Sequence, residues 1–117
     1  MADTLKVAFT ESTNTSEYDT VPANVDSTKT ILSIIICNTH ATQDATFDMY
    51  YYGVGTEDGS TSTGNFRLYN EQSLPAESTF IHDSKIIFNA NEELKFKQTG
   101  TAANPVHVIT SYLDQTS

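Results

Sequence analysis

The histidines His40, His82 and His107 and the single cysteine, Cys37, are the side chains of this 117-residue sequence most suited to nucleophilic or metal chemistry. A structural zinc site calls for closely spaced Cys and His pairs, C-x-x-C above all, and the sequence has none. Cys37 and His40 stand three apart, a spacing that divides them between opposite faces at a strand end. Cys37 therefore reads as a small buried hydrophobe. His82-Asp83-Ser84 places the letters of a hydrolase triad in consecutive positions, but neighbouring strand residues point to opposite faces and cannot relay a proton. No G-x-S-x-G elbow supports the idea, and a polar turn is the better reading. The acids Asp44, Asp48, Glu57 and Asp58 have no spacing that would set two of them about a glycosidic bond. Glu57-Asp58-Gly59 is too short for a calcium loop, and no glycine-rich phosphate loop occurs. The expectation is a non-enzymatic chain without catalytic residues, metal or cofactor.

What remains is a scaffold of strands. Leu5, Val7 and Phe9 alternate with Lys6, Ala8 and Thr10, the period of a half-buried strand. Residues 11–19 are polar and read as a loop. Thr30 to Cys37 is apolar on both alternating faces and rich in β-branched residues, which predicts a central strand covered by protein on both sides. Ala45 to Tyr52 alternates, with Phe47, Met49 and Tyr51 on one face and Asp48, Tyr50 and Tyr52 on the other. A long polar interruption, residues 53–64, reads as a hairpin tip. Strands follow at Asn65–Tyr69, Thr79–Ile81, Lys85–Phe88, Glu93–Lys97 and Val106–Leu113, with turns at 89–92 and 99–105. Val21-Pro22-Ala23 and Leu74-Pro75-Ala76 each precede a polar spacer and an apolar strand. No window carries a helical stripe. Residues 1–117 thus predict one all-β domain, an antiparallel sandwich of jelly-roll or Ig-like type with about seven or eight strands.

Charge narrows the partners. Six Lys and Arg against fifteen Asp and Glu give a net charge of −9. Neutralising phosphates requires a cationic stripe, and Arg67 is the only arginine, so neither nucleic acid nor an anionic membrane is an expected partner. No apolar run approaches a membrane span. The amino terminus lacks the pattern of a signal peptide, which leaves a cytoplasm, or a particle assembled in one, as the expected compartment. The aromatics are the remaining signal. If Tyr51 packs inward, Tyr50 and Tyr52 point outward, and with Phe66 and Tyr69 they mark an expected interface. The same outward rings would also suit stacking on a sugar.

Val21-Pro22-Ala23, Ile31 to Thr39 and Ala45-Thr46-Phe47 resemble the first half of small structural proteins of tailed bacteriophages, notably those infecting cyanobacteria and marine bacteria. Leu74 to Phe80, Asn91 to Phe96 and Val106 to Leu113 are similar to the second half. The resemblance rests on strand and turn patterns over nearly the whole chain. It implies an all-β virion component of the capsid exterior, neck or tail, self-associating or docked on other virion proteins and assembled in the host bacterial cytoplasm. The alternative is a carbohydrate- or receptor-binding module on the virion surface. The family supplies no catalytic residues.

Overall fold

The computed structural model describes residues 2–23, 26–54, 63–100 and 105–116. These residues form nine strands: β1 (Ala2–Ser12), β2 (Glu17–Val21), β3 (Ser27–Asn38), β4 (Ala45–Gly53), β5 (Gly64–Leu74), β6 (Thr79–His82), β7 (Ile86–Phe88), β8 (Glu93–Gln98) and β9 (Val106–Thr116). No helix occurs among the described residues. One sheet has the order β1-β9-β3-β6, with β7 also pairing β3, and the other has the order β2-β8-β4-β5. The extra strand relative to expectation is β2, in the segment read as a loop. It is an edge strand whose outward residues are Glu17 and Asp19, so its pattern lacks apolar alternation.

The pairings are nested. β1 pairs β9, β2 pairs β8, β3 pairs β6 and β7, and β4 pairs β5, all antiparallel. The chain is thus one long hairpin, folded at β4–β5 and rolled so that its strand pairs fall alternately into two sheets. That connectivity is a jelly roll and not an Ig sandwich. β6 and β7 act as one broken strand: β6 lies against Ile34–Cys37 and β7 against Lys29–Ile31. The interruption is Asp83 to Lys85, one residue later than the turn expected at His82-Asp83-Ser84. The two Pro-Ala segments also find a common role. Val21 closes β2 and Leu74 closes β5, the two edges of the four-stranded sheet, and from each the chain crosses to the other sheet. Proline suits those exits because it cannot continue a ladder.

Between the sheets lie Ile31, Ile34, Ile36, Phe47, Met49, Leu94, Phe96, Val106 and Val108, each wholly removed from solvent. Burial of one such side chain contributes about 1.5–3 kcal/mol. Phe47 is the hub, stacked on Phe96 at 5.4 Å and edge-on to Phe80 at 5.5 Å and Tyr69 at 6.0 Å. Tyr51 packs inward on Phe88 at 4.5 Å, as the alternation predicts. Glu92 lies buried at the turn before β8. Its Oε1 accepts from the Tyr51 hydroxyl and, at 2.8 Å, from the Asn89 N–H, while Oε2 accepts from the Val54 N–H at 3.0 Å.

Two expectations are corrected here. β3 is central in its sheet, but the opposite sheet covers only the face of Ile31, Ile34 and Ile36; Ile35 and Cys37, on the other face, are half-buried. Cys37 is accordingly not a core residue. The first strand is also turned over. Leu5, Val7 and Phe9 are 75%, 50% and 74% exposed, and Lys6 instead reaches Asp114 Oδ2 at 2.8 Å. Alternation shows which residues share a face, not which face is covered.

Candidate interaction surfaces

The two sheets present opposite kinds of outer surface. On the five-stranded sheet the registers align apolar side chains in rows across strands, since directly opposed residues share a face. One row is Leu5, Leu113, Thr30 and Ile87. A middle row is Val7, Ser111 and Ser33, and a third is Phe9, Ile109, Ile35 and Ile81. Ile81 and Ile87, on the far edge, are 61% and 59% exposed. None of these rows contains a charged residue. Polar groups frame them, with Asp3 accepting from Gln115 at one end and Glu11 paired with His107 at 2.9 Å at the other. The five most exposed of these side chains present roughly 600 Å² of apolar surface, at the upper limit for a typical soluble monomer.

The outer face of the four-stranded sheet is ionic. Lys95 projects from β8 toward Glu17 at 3.1 Å, Glu93 at 3.3 Å and Asp19 at 3.9 Å. Burial and the neighbouring Glu93 raise the Asp19 pKa. Tyr50 and Tyr52 do lie on this face. Tyr50 is buried within the chain itself, with the Arg67 guanidinium 4.5 Å from its ring centroid, and the Lys95 ammonium sits 5.4 Å from the centroid of Tyr52. Each outward tyrosine thus already carries a cation of its own chain.

Asp48 organises the β4–β5 half of this face. Its Oδ2 accepts from Arg67 at 2.5 Å and from the Tyr50 hydroxyl at 3.3 Å, and its Oδ1 accepts from the Glu71 N–H at 2.6 Å. The reason lies in the register. Asn70 and Glu71 of β5 together oppose Asp48, and Glu71 has a positive φ of 49°. The ladder is broken at that bulge, and the carboxylate satisfies the donor left over. A second irregularity leaves Leu68 unpaired between Arg67 and Tyr69. It turns Tyr69 inward, opposite Met49, where it packs edge-on against Phe80 and meets His82 Nδ1 at 2.5 Å. Phe66, opposite Tyr51, also shares the inner side and is 49% exposed at its end. The four aromatics expected to mark one interface therefore divide, Tyr50 and Tyr52 outside and Phe66 and Tyr69 inside.

The remaining candidates stay apart. His40 Nδ1 accepts from the N–H groups of Thr42 and Gln43 at 3.1 and 3.0 Å, His82 contacts Tyr69 and the Ser84 carbonyl, and His107 meets Glu11. Asp44 accepts from the Ala76 N–H, a structural contact at the start of the β5–β6 crossing. No metal-binding group of three His, Cys, Asp or Glu occurs among the described residues. Glu57 and Asp58 lie outside them. The signal that sequence reading missed is the outward apolar set of β1, visible in retrospect as apolar residues on a strand whose alternate residue, Lys6, has a buried acid for a partner.

A search of protein-family models finds no match to this chain, and neither does a search of curated protein sequences. Solved structures do match in fold. A chain from the capsid of Helicobacter pylori bacteriophage KHP30 superposes with a TM-score of 0.57 at 12% identity, covering 99% of this chain and 94% of that one. A chain of the infectious bursal disease virus Gx strain gives 0.56 at 10% identity over 96% of this chain, which spans only 32% of the viral one. A chain of the disulfide-linked pili of Bacillus endospore appendages gives 0.52 at 11% identity, covering 97% of this chain and 88% of that one. At such identities the likeness is one of fold. The protein is a jelly-roll β-sandwich, similar in architecture to subunits of viral capsids and of pili.

Proposed function

We propose that this protein is a non-enzymatic structural subunit of a bacteriophage virion, an accessory component of the capsid exterior, neck or tail that acts through subunit packing. The observation that carries the reading is the uncharged apolar outer face of the five-stranded sheet, on a chain with nine more negative than positive charges. A surface of that kind on a small domain is suited to burial against protein. The fold shared with a phage capsid chain and a second viral chain supports the virion setting, as does the resemblance of strand and turn patterns to small phage structural proteins. The pilus likeness is a reminder that the fold serves other assemblies. Mass spectrometry of purified particles, followed by location of the chain in a virion reconstruction, tests the proposal. Particles that lack the chain would end it. A glycan array on the isolated protein is the companion experiment: selective sugar binding lost on replacing Tyr52 would favour a surface-recognition role instead.

A further inference from the structure

Granting that the chain is an assembly subunit, we infer that the outer face of its five-stranded sheet is covered by the same face of a second copy, in a two-fold contact. The composition of β3 is the first reason. Thr30 to Cys37 has the doubly apolar pattern of a strand covered on both sides, yet the described residues cover only one. β9 repeats this, with Val106, Val108 and Tyr112 inside and Ile109 and Leu113 outside. Two strands in the middle of the sheet are thus built for a second cover.

Area and charge identify that cover. The five most exposed side chains, together with half-buried Leu32, Ile35, Ile109 and Leu113, present roughly 700 Å², close to the roughly 800 Å² that one partner contributes to a stable interface of standard size. Stacking this face on the outer face of the four-stranded sheet would desolvate Lys95, Lys97, Arg67, Glu17 and Asp19 against groups that cannot pair with them, at several kcal/mol per ion. Stacking it on itself opposes Leu, Val, Ile and Phe with their like and leaves Asp3, Glu11 and His107 at a polar rim. A contact made by one face with its own copy is closed by two-fold symmetry and does not propagate into a filament. Sheets so packed lie about 10 Å apart.

The test uses the full chain. Sedimentation velocity at increasing concentration is expected to show a dimer. Phe9→Lys and Leu5→Lys, at exposed positions that leave the fold intact by circular dichroism, are expected to raise the dissociation constant roughly 100-fold or more, while Lys97→Glu on the opposite sheet leaves it unchanged. A second readout tests the symmetry. In a Cys37→Ser background, Val7→Cys, Ser33→Cys and Ser111→Cys are introduced singly along the middle row. A two-fold axis through that row sets at least one of them across the sheet spacing of about 10 Å from its own copy, too far for a disulfide but within the span of a short bis-maleimide, and treatment with that reagent then yields a self-linked dimer. A wild-type dimer with no self-link at any of the three positions would overturn the symmetric contact. A wild-type chain that stays monomeric would overturn the second copy as occupant. If such a monomeric chain is nevertheless found in virions, and Phe9→Lys removes it from them, the face docks on a different virion protein and the structural role stands without this inference.

Discussion

Replacing Lys29 by Met is expected to stabilise the protein, although it removes one of only five lysines in a strongly acidic chain. Lys29 projects from β3 into the sandwich at 2% exposure, and its Nζ has no hydrogen-bond partner among the described residues. Burial pulls its pKa below the ordinary lysine value. The charges of Asp114, Glu93 and Glu92 act in the opposite sense, and Lys6 adds to the depression. A buried donor left unmatched costs about 1–3 kcal/mol, more when charged, and Met matches the volume of the lysine stem without a polar end. The expected gain is about 2 kcal/mol, a rise in melting temperature of roughly 6–12 °C for a domain of this size. Linkage adds a second signature. The folded chain releases the Lys29 proton more readily than the unfolded chain, so the penalty is fully present below the folded pKa. It fades as pH rises toward the unfolded value near about 10.4. The stability gap between Lys29→Met and wild type is therefore expected to narrow between neutral pH and that value. Urea denaturation of both proteins across this range measures it. Destabilisation by about 1 kcal/mol or more at neutral pH would refute the reasoning, because it would mean that the ammonium has found a partner worth more than its desolvation.

Other outcomes follow from the same geometry. Asp48→Ala is expected to cost about 2–3 kcal/mol in urea denaturation, and Asp48→Asn less, since the amide oxygen still accepts from the Glu71 N–H at the bulge. Ile34→Asp or Ile36→Asp places a carboxylate in the sealed core of the central strand and is expected to yield no soluble folded protein, checked by circular dichroism of the expressed chain. The Lys6 hydrogen bond holds the Asp114 carboxyl below the usual carboxylate range. Its stabilising contribution is present above the unfolded pKa near about 3.9 and is lost as pH falls through the lower folded value. Melting curves taken from neutral pH downward are expected to show a shallower acid loss in Asp114→Asn than in wild type.

Much of the jelly roll is legible in the sequence where one face of a strand is apolar and turns bound it. β3, β4, β8 and β9 announce themselves by alternation or by runs of Ile and Val, and the Pro-Ala segments mark the two exits from the four-stranded sheet. β2 is not legible, because an edge strand with Glu17 and Asp19 outward has the composition of a loop. Nor is the orientation of β1, since a period of two is the same whichever face meets the core. The positions of Phe66 and Tyr69 depend on two residues, Leu68 and Glu71, at which β5 departs from regular pairing, and nothing local to them is diagnostic. The cover over Tyr50 comes from Arg67, seventeen residues away, and is set by the same register. Buried charge is the least legible feature of all. Glu92 and Lys29 are ordinary surface residues by composition, and only the fold reveals that one accepts from three donors while the buried ammonium of the other finds no acceptor among the described residues.

The sign of the salt dependence follows from which face makes the proposed contact between copies. Two copies approaching with a net charge of −9 each repel over distances comparable to the Debye length, about 8 Å at physiological ionic strength and about 3 Å at 1 M. The rows between Leu5 and Phe9 contribute no charge to the contact, so added salt removes repulsion from the remainder of the surface without weakening any pair that the contact forms. Excluded salts also strengthen apolar burial. Association through the five-stranded sheet is therefore expected to tighten steadily as sodium chloride rises from about 50 mM to 1 M. Association through the ionic face, where Lys95, Lys97 and Arg67 would meet acids of another copy, has the opposite slope. A dissociation constant that rises with salt, measured by sedimentation, would exclude the apolar face as the contact, and one that falls would exclude the ionic one.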